Sequence, residues 1–551
     1  MQGVSDKGLT TPTTASAMAK PVKESNMLVI VDPMSTGATL AFMAASQGHK
    51  ICCVWSDICP ESLRHFVADG QSVEFVGVVN HRAGQLDATL AELALLGTVA
   101  NVIVGSEPGV ELADQISSAL GLRGNGLEQS ATRRNKFEQS EAVRARGLSA
   151  GGQALVTKGA EVEDFISRHC TPFTKAVVKP MDGAASEGVT ICTSANQMRS
   201  AFGSLKNTTN VFGRTNHEVL LMEYLGGDEF VVDTVSRDGL HKCVAIWKYI
   251  KQPCNGVANV FHGQRLMVIL SDEDDASCPL RRMVAYIFGV LDAIGIKNGA
   301  VHSEVKFDMS TEAGMKRGPV LIETNCRLHG IEGSWKPVVE RCLGYSQVSA
   351  LIDAYREKDD AFAKLPKAPT QPLGHGAQVG VRSTVEGIIS KISEERLAKI
   401  RATASYCGEN LPLTSSLAEG QPIAKTIDIV TLCGQINIAH ASKEQLEADL
   451  EFIQGLINEG LFETLPLPPP EPRSSPVTLR ETFTESASPI FPQPSPKSPK
   501  PGTITNPTLM NLLQTVLGGF CIPCQLAKQA EEKEVLGLFE HRRSRALRLS
   551  H

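Results

Sequence analysis

A lysine, a small-residue loop and three oxygen-bearing side chains in the middle of the chain have the residue types that phosphate and metal chemistry requires. Lys179 ends an apolar run and precedes a loop of small residues, 183–188. Far downstream, Glu304, Glu323 and Asn325 lie in two short apolar segments. This order suggests ATP held by a lysine and a closing loop, with metal ions held by carboxylates.

The first segment predicts strand, loop and strand. An ammonium group at the end of a strand can bind polyphosphate as a point charge. In the loop that follows, Gly183, Ser186 and Gly188 carry little or no side chain, so backbone N–H groups can point at phosphate oxygens. Taken alone, however, this segment is more typical of an ordinary hairpin with a surface lysine.

A second segment, 218–233, offers a backbone edge flanked by carboxylates. Its apolar run predicts a buried strand, so Glu223 and Glu229 lie on either side of a glycine turn at 226–227. Such an edge suits an adenine ring and ribose hydroxyls. Without further context, a polar hairpin end is the better interpretation.

The third region, 300–325, predicts a hairpin. With a period of two, His302 and Glu304 share one face of the first strand, and Glu323 and Asn325 share one face of the return strand. The connection between the strands is expected to be polar and turn-like. If both faces line one cleft, the oxygens suit Mg²⁺. The alternative is a pair of surface carboxylates on an edge hairpin.

Arg327 follows the return strand by two residues. If that strand continues, its guanidinium shares the carboxylate face and can stabilise charge on a transferring phosphoryl group. A structural role is the favoured interpretation of His302, over a substrate contact. His329 either touches substrate or caps the turn before Gly330.

Together these motifs resemble those of the ATP-grasp superfamily of carboxylate–amine ligases, over about residues 27–460. The L-amino-acid ligase (dipeptide-forming) branch is the most similar. Three features carry that assignment: the segment 106–114, the segment 327–330 after the metal motif, and the segments 426–428 and 434–440 near the carboxyl end.

The resemblance implies an ATP site with two Mg²⁺ (or Mn²⁺) ions. In it, Lys136 and Lys179 bind the phosphates, and the loop with Gly183, Ser186 and Gly188 closes over them. Arg327 is the implied catalytic residue, which stabilises the acyl-phosphate and the tetrahedral intermediate. The remaining implied contacts are Glu223, Tyr224, Leu225 and Glu229 for adenine and ribose, and Glu304, Glu323 and Asn325 for the metal.

The implied reaction joins a carboxylate, expected to be that of an amino acid, to an amine through an acyl-phosphate, with release of ADP and phosphate. Both substrates would be small molecules. Two alternatives stay open: an ATP-grasp ligase for a carboxylate that is not an amino acid, and a non-catalytic nucleotide-binding scaffold.

The implied fold is mixed α/β and α+β. Strands alternating with helices predict a parallel α/β (pre-ATP-grasp) domain at 27–124. Its first turn lacks the three glycines of a dinucleotide site, so no nicotinamide cofactor is expected. The ATP-grasp domain is expected at 125–355 and an α+β ligase module at 356–463. Individual predictions include helices at 279–294, 393–402 and 443–456, a strand at 377–382, and a strand pair near Asp428 and Ile436.

The two ends of the chain differ in composition from the middle. Residues 1–26 predict a disordered tail. Residues 464–507 predict an extended linker, since 12 of the 38 residues from 464 to 501 are proline. The tail 508–551 has apolar residues at helical spacing and a basic end, which could favour an acidic partner or a membrane surface. Cys521 and Cys524 lack a second ligand pair, so a buried turn is favoured over zinc or acylation.

Composition excludes several classes of protein. The net charge of −6 gives no reason to expect nucleic acid as a partner. No apolar run reaches about 18 residues, so no transmembrane segment is expected. Fourteen cysteines without paired spacing predict reduced thiols and a cytoplasmic location. A homodimer and the partner of the tail remain open.

Overall fold

The computed structural model describes residues 27–64, 73–181, 188–209, 215–269, 278–356, 360–411 and 417–467. The two predicted tails, 1–26 and 508–551, lie outside the described residues, as does nearly all of the predicted linker. Gly183 and Ser186 of the predicted phosphate loop also lie outside them, whereas Gly188 is described.

The amino-terminal part of the chain folds as a parallel α/β sheet, as predicted. All five residues of its first strand are buried, as expected for a strand covered on both faces. The strand order is β3-β2-β1-β4, so the order reverses between β1 and β4. The elements are β1 (Met27–Val31), α1 (Thr36–Ser46), β2 (Lys50–Trp55), β3 (Gly77–Asn80), α2 (Leu86–Leu96), β4 (Val99–Val104) and α3 (Val110–Ala119), with short 3₁₀ turns at Glu61–Leu63 and Glu107–Gly109.

The loops that follow β1 and β4 touch backbone to backbone. A Cβ atom on Gly37 would lie 2.5 Å from the carbonyl oxygen of Gly105, and a Cβ atom on Gly105 would lie 2.5 Å from that of Asp32. Only glycine fits at either position. In open α/β sheets the crevice at such a reversal of strand order is the usual ligand site.

The next part of the chain forms a four-stranded antiparallel sheet. Its order is β5-β8-β6-β7, and buried Phe165 and Met198 of the covering helices pack against it. The elements are α4 (Lys136–Ala145), β5 (Gln153–Val156), α5 (Gly159–His169), β6 (Ala176–Pro180), β7 (Thr190–Cys192), α6 (Ala195–Leu205) and β8 (Val219–Glu223).

An eight-stranded sheet runs through the rest of the structure in the order β13-β12-β9-β10-β11-β14-β18-β16. Its strands are β9 (Asp228–Arg237), β10 (Leu240–Cys254), β11 (Val257–Met267), β12 (Gly299–Phe307), β13 (Val320–Asn325), β14 (His375–Val381), β16 (Tyr406–Asn410) and β18 (Gly434–His440). Because β11 pairs with β14, this sheet crosses residue 355, where we placed a domain boundary. The domain limits themselves stay predictions.

A small antiparallel sheet in the order β17-β15-β19 and several helices complete the fold. The strands are β15 (Gly387–Ile392), β17 (Pro422–Ile423) and β19 (Phe462–Leu465). The helices are α7 (Pro279–Ala293), α8 (Glu312–Arg317), α9 (Lys336–Leu343), α10 (Gln347–Ala354), α11 (Ala361–Lys364), α12 (Glu394–Arg401) and α13 (Lys443–Asn458), with a 3₁₀ turn at Ile331–Gly333.

The structure differs from the sequence-based predictions in three places. The strand predicted near Asp428 is wrong, because the Asp428 carboxylate accepts a hydrogen bond from Thr431 N (2.9 Å) and closes a turn there. The connection between β12 and β13 contains the helix α8. Leu465 of β19 pairs with Ile388, so strand structure continues two residues into the segment predicted as linker.

The other helices and strands that the sequence predicted are confirmed. Helices α7, α12 and α13 lie where the sequence predicted them, and β18 contains Ile436. The 12 cysteines in the described part of the chain are free thiols. Within that same part, none of the helices combines the length and hydropathy needed to cross a membrane.

Candidate ATP and metal site

The β12–β13 hairpin brings the three predicted metal ligands together. Glu304 and Glu323 are direct partners across the two strands, and Asn325 is opposite His302. The amide of Asn325 donates a hydrogen bond to Glu323 Oε1 (3.2 Å). Like charges directly opposite each other destabilise a sheet. A bound cation would remove that repulsion, and an all-oxygen donor set suits Mg²⁺.

Both predicted phosphate lysines approach these carboxylates. Lys136 is the first residue of α4, where the side chain of Asn135 caps the helix by accepting hydrogen bonds from Phe137 N and Glu138 N. Lys136 Nζ lies 3.4 Å from Glu323 Oε2. Lys179, in β6, is only 6% exposed.

The pKa values at this point are strongly shifted. Burial lowers the pKa of Lys179 to about 8, although the charge of Glu323 opposes the shift. For Glu323, burial favours the neutral acid, but Lys136 and Lys179 outweigh it and hold its pKa at about 2. The two ammonium groups are therefore concentrated beside the ionised Glu323 carboxylate in a poorly hydrated place, where a polyphosphate would bind strongly.

Glu229, which we predicted to contact ribose, is held by two lysines. Its side chain is nearly buried, and Glu229 Oε1 lies 2.6 Å from Lys251 Nζ and Glu229 Oε2 3.3 Å from Lys306 Nζ. Burial opposes ionisation, but these two ammonium groups lower the pKa of Glu229. Lys306 lies on the face of Glu304 at period two, so the sequence contained a signal for it. It contained none for Lys251.

The predicted adenine segment lies at the end of β8. The Glu223 carboxylate accepts hydrogen bonds from both terminal nitrogens of Arg317 (2.7 and 3.0 Å) and from Gly152 N (3.0 Å). Lys175 Nζ lies 4.9 Å from the centre of the Tyr224 ring, and Leu225 is buried. The carboxylate of Glu223 is therefore used within the protein, and the contacts of these three residues with adenine stay predictions.

Arg327 does not lie on a continued strand, because β13 ends at Asn325. Instead, Arg327 Nε lies 3.5 Å from Glu107 Oε2, and Arg327 Nη1 donates a hydrogen bond to Leu328 O (2.8 Å). Glu107 follows β4 of the amino-terminal sheet and is also 3.9 Å from a guanidinium nitrogen of Arg134. Sequence reasoning missed Glu107 as the partner of Arg327, although it lies in a segment that carries the family resemblance.

The chain after Arg327 docks on the start of α1. Thr36 Oγ1 donates a hydrogen bond to His329 O (2.6 Å), and Ser35 Oγ accepts one from Glu332 N (3.1 Å). Ser35, Ile331 and Glu332 all have positive φ values, between 53° and 60°. Non-glycine residues in this region store strain, and such residues cluster at functional sites. The crevice between β1 and β4 thus opens toward Arg327.

A buried carboxylate links two histidines behind the predicted metal ligands. Asp233 is fully buried; its Oδ1 lies 3.0 Å from His302 Nδ1 and its Oδ2 lies 2.9 Å from His329 Nδ1. Trp247 Nε1 donates a further hydrogen bond to Asp233 Oδ2 (3.1 Å). At these distances Asp233, His302 and His329 form a hydrogen-bonded cluster. The nitrogen and oxygen atoms of the three side chains are also close enough together to hold a metal ion. On the outer side, His302 Nε2 lies 3.5 Å from Glu304 Oε1.

The pKa values of the three residues in this cluster shift in different directions. Burial alone would raise the pKa of Asp233, but the two imidazoles outweigh it and keep that pKa below its usual range. Burial disfavours protonated His302, yet its hydrogen bonds to Asp233 and Glu304 raise its pKa. Burial lowers the pKa of His329 to about 4, with His302 adding to the shift and Asp233 opposing it. At neutral pH His329 is therefore neutral.

Comparison with known proteins identifies the family of the chain. An ATP-grasp domain model matches residues 172–332, which include the strand of Lys179 and the β12–β13 hairpin. Dapdiamide A synthase from Enterobacter agglomerans is 33% identical over 331 residues, which span 60% of this chain and 73% of that enzyme. The chain belongs to the ATP-grasp family. It is an ATP-dependent ligase that forms carbon–nitrogen bonds, as the sequence predicted, and its family uses ATP and a divalent metal ion.

More distant relatives are similar over the same fold. Alanine–anticapsin ligase from Bacillus subtilis is 25% identical over 253 residues, which span 42% of this chain and about half (49%) of that enzyme. An L-amino acid ligase from Bacillus licheniformis superposes with a TM-score of 0.60 at 17% identity, covering 80% of this chain and 99% of that one. N5-carboxyaminoimidazole synthase from Aspergillus clavatus, in complex with ADP and 5-aminoimidazole ribonucleotide, gives 0.54 at 12% identity, covering 79% of this chain and 99% of that one.

Proposed function

We propose that this ATP-grasp ligase joins the carboxylate of an amino acid to an amine. The single observation that supports the site most strongly is the direct pairing of Glu304 with Glu323 beside the buried ammonium of Lys179. Two carboxylates and buried lysines in one place suit a metal–polyphosphate complex. For the substrate class, the support is the similarity to dapdiamide A synthase and to alanine–anticapsin ligase.

In this proposal the reaction has two steps. A substrate carboxylate oxygen attacks the γ-phosphorus of ATP, and ADP leaves. The amine nitrogen then attacks the carbonyl carbon of the acyl-phosphate, loses a proton, and phosphate leaves with the bonding electron pair. Neither step needs a covalent enzyme intermediate, so alignment and charge neutralisation carry the catalysis.

We assign roles to the residues accordingly. Lys136 and Lys179 bind the phosphates, and Gly188 belongs to the loop expected to close over them. Arg327 stabilises charge on the phosphoryl and carbonyl oxygens. The adenine and ribose contacts fall to Glu223, Tyr224, Leu225 and Glu229, of which Glu229 would reach ribose only in competition with Lys251 and Lys306.

Glu304, Glu323 and Asn325 would hold the divalent metal, which we propose to be two Mg²⁺ (or Mn²⁺) ions. When bound, these ions supply charge neutralisation at the β- and γ-phosphate oxygens. The protein's own contribution is to hold the carboxylates in register across β12 and β13 and to fix the Glu323 carboxylate with Lys136 and Asn325.

The substrate cleft of this proposal lies between the amino-terminal sheet and the chain after β13. Glu107 faces Arg327 there, at the reversal of strand order between β1 and β4. We place the reaction in the cytoplasm, where ATP and free amino acids are available. We also retain the division into units at 27–124, 125–355 and 356–463, with the last extended to Leu465.

An isotope experiment tests the reaction. Purified protein is incubated with Mg²⁺, ATP and pairs of amino acids, and the release of ADP and phosphate is measured. For an active pair, ¹⁸O in the substrate carboxylate should appear in the released phosphate, because the acyl-phosphate carries that oxygen to phosphorus. ADP release without ¹⁸O transfer would exclude the acyl-phosphate. ATP binding without turnover, over amino-acid pairs and other acids and amines, would instead favour a scaffold.

A further inference from the structure

Asp233 is a buried carboxylate that joins the β12–β13 hairpin to the loop that carries Arg327. It lies in β9, next to β12, and is paired across the strands with His302. Both of its oxygens are used, one by His302 and the other by His329 and Trp247. No sequence pattern pointed to it, and none of the roles assigned above involves it.

On the metal side, the chain of contacts runs from Asp233 to Glu304. With Asp233 accepting at His302 Nδ1, the other ring nitrogen, Nε2, faces Glu304 Oε1 at 3.5 Å. Carboxylates that bind metals are usually oriented by such outer partners, and changing an outer partner typically costs 10- to 100-fold in metal affinity or activity.

On the substrate side, the contacts run through His329. Its Nδ1 lies on Asp233, its backbone N–H donates to Gln347 Oε1 (2.8 Å), and its carbonyl oxygen accepts from Thr36. Its ring is stacked on Trp335, with 5.3 Å between ring centres. His329 is therefore held from four directions, two residues after Arg327.

We propose that Asp233 is a positioning residue for the ligation reaction, acting through His302 on the Glu304 carboxylate and through His329 on the loop that carries Arg327. The proposal rests on the proposed function, because it takes Glu304 as a metal ligand and Arg327 as a catalytic residue. Asp233 does this by orienting both rings: as an acceptor only, an ionised carboxylate requires Nδ1–H on each imidazole, which turns His302 Nε2 toward Glu304.

The isosteric substitution Asp233→Asn separates this role from packing. The amide has one acceptor oxygen and one NH₂ group, so it cannot accept from both imidazoles. Its oxygen should remain at the Oδ2 position, where Trp247 and His329 both donate, and its NH₂ group should face His302 Nδ1. His302 Nδ1 must then accept instead of donate, so the charge-assisted hydrogen bond that orients this ring is lost, while His329 keeps Nδ1–H.

Three measurements on the full chain test the proposal. In ¹⁵N-histidine spectra, D233N should remove the Nδ1 proton of His302 and leave that of His329. Its turnover should fall about 10- to 100-fold. Its Mg²⁺-dependent affinity for ATP, measured by calorimetry, should fall at least tenfold, with little change in ATP affinity when the metal is absent.

Asp449→Asn is the matched control. Asp449 is also a buried carboxylate with two hydrogen-bond donors, Ser405 N and the Gln445 amide, but no imidazole. The control should leave turnover and metal dependence within twofold of wild type. A folded D233N protein that keeps the Nδ1 proton of His302, or that has wild-type turnover and metal dependence, would overturn the proposal.

Two further variants cover the case in which D233N does not fold. His302→Gln and His329→Gln interrupt the two sets of contacts separately, and a tenfold fall in turnover or in Mg²⁺-dependent ATP affinity in either supports the proposal. Wild-type values in both would overturn it. If the wild-type protein turns over no acid–amine pair, the proposed function fails, while the spectra and the metal-dependent ATP affinity still decide the role of Asp233.

Discussion

Replacing Lys179 with methionine should stabilise the nucleotide-free protein and weaken ATP binding at the same time. Burial lowers the pKa of Lys179 from 10.5 to about 8, with Glu323 opposing the shift and Lys136 adding to it. At 1.36 kcal/mol for each pH unit, keeping this ammonium charged at pH 7 costs about 3 kcal/mol. Methionine has a similar length and no charge, so the substitution removes that cost.

The net gain should be smaller, because Glu323 loses one of its two cations. It keeps Lys136, whose ammonium lies 3.4 Å away. We therefore expect the free energy of unfolding of K179M to rise by about 1–2 kcal/mol, in the range seen when buried charges are replaced by apolar groups. ATP affinity should fall by about 1.5–3 kcal/mol, roughly 10- to 100-fold, for the loss of one charged hydrogen bond.

The pH dependence supplies an independent check. The pKa of Lys179 is lower in the folded protein than in the unfolded chain, so between pH 8 and about 10.5 the unfolded state binds more protons. This group therefore makes the wild-type protein more stable as the pH rises through that window. K179M lacks this contribution, so the stability difference between the two proteins should shrink from pH 8 upward.

Urea unfolding without nucleotide and ATP calorimetry measure the two effects. Lys391→Met is a suitable control, because this lysine is 63% exposed and contacts Glu463 on the surface. It should change stability by less than about 0.5 kcal/mol and leave ATP binding unaltered. Loss of stability in K179M together with unchanged ATP affinity would refute the electrostatic argument.

Three other predictions follow from the site and from the end of the fold. Glu304→Gln and Glu323→Gln should fold normally, lose most turnover, and recover part of it in excess Mg²⁺, as steady-state assays would show. Arg327→Lys keeps the charge but loses the planar fork, so the turnover number should fall more than the Michaelis constants rise. A chain ending at Leu467 should keep near-native melting temperature and ligase activity, whereas one ending at Glu463 should lose stability because it cuts β19 in two.

Each of these has a clear contrary outcome. Full turnover in both glutamine variants would move the metal elsewhere. A large rise in one Michaelis constant with normal turnover would make Arg327 a substrate clamp. Aggregation of the chain that ends at Leu467 would mean that later residues pack against the catalytic part.

Local patterns predicted the elements well, because their signals lie within a few residues. The alternation in 300–325 predicted β12 and β13 and placed Glu304, Glu323 and Asn325 on facing strands. The same patterns gave a wrong prediction where a polar side chain forms hydrogen bonds with backbone groups that a strand would otherwise use. The Asp428 carboxylate closes a turn with Thr431 and prevents the strand expected there.

Interactions between distant segments could not be predicted, because a single sequence does not show which residues are in contact in the folded protein. The pairing of Glu107 with Arg327 joins two sheets, and the pairing of Glu229 with Lys251 joins two strands. Asp233 looks like any polar residue in an apolar run. Its role is visible only when two histidines from other elements lie on its two oxygens.

The continuous eight-stranded sheet has a consequence for protein engineering. Among the described residues, the carboxyl-terminal strands β14, β18 and β16 join the sheet only through β11, which precedes β14 by more than a hundred residues. Pairing strands so far apart in sequence carries a high loop-closure entropy, so this edge should form late in folding. A chimera that exchanges the segment after residue 355 between relatives must also carry over the matching register of β11, or it would leave an open, aggregation-prone strand edge.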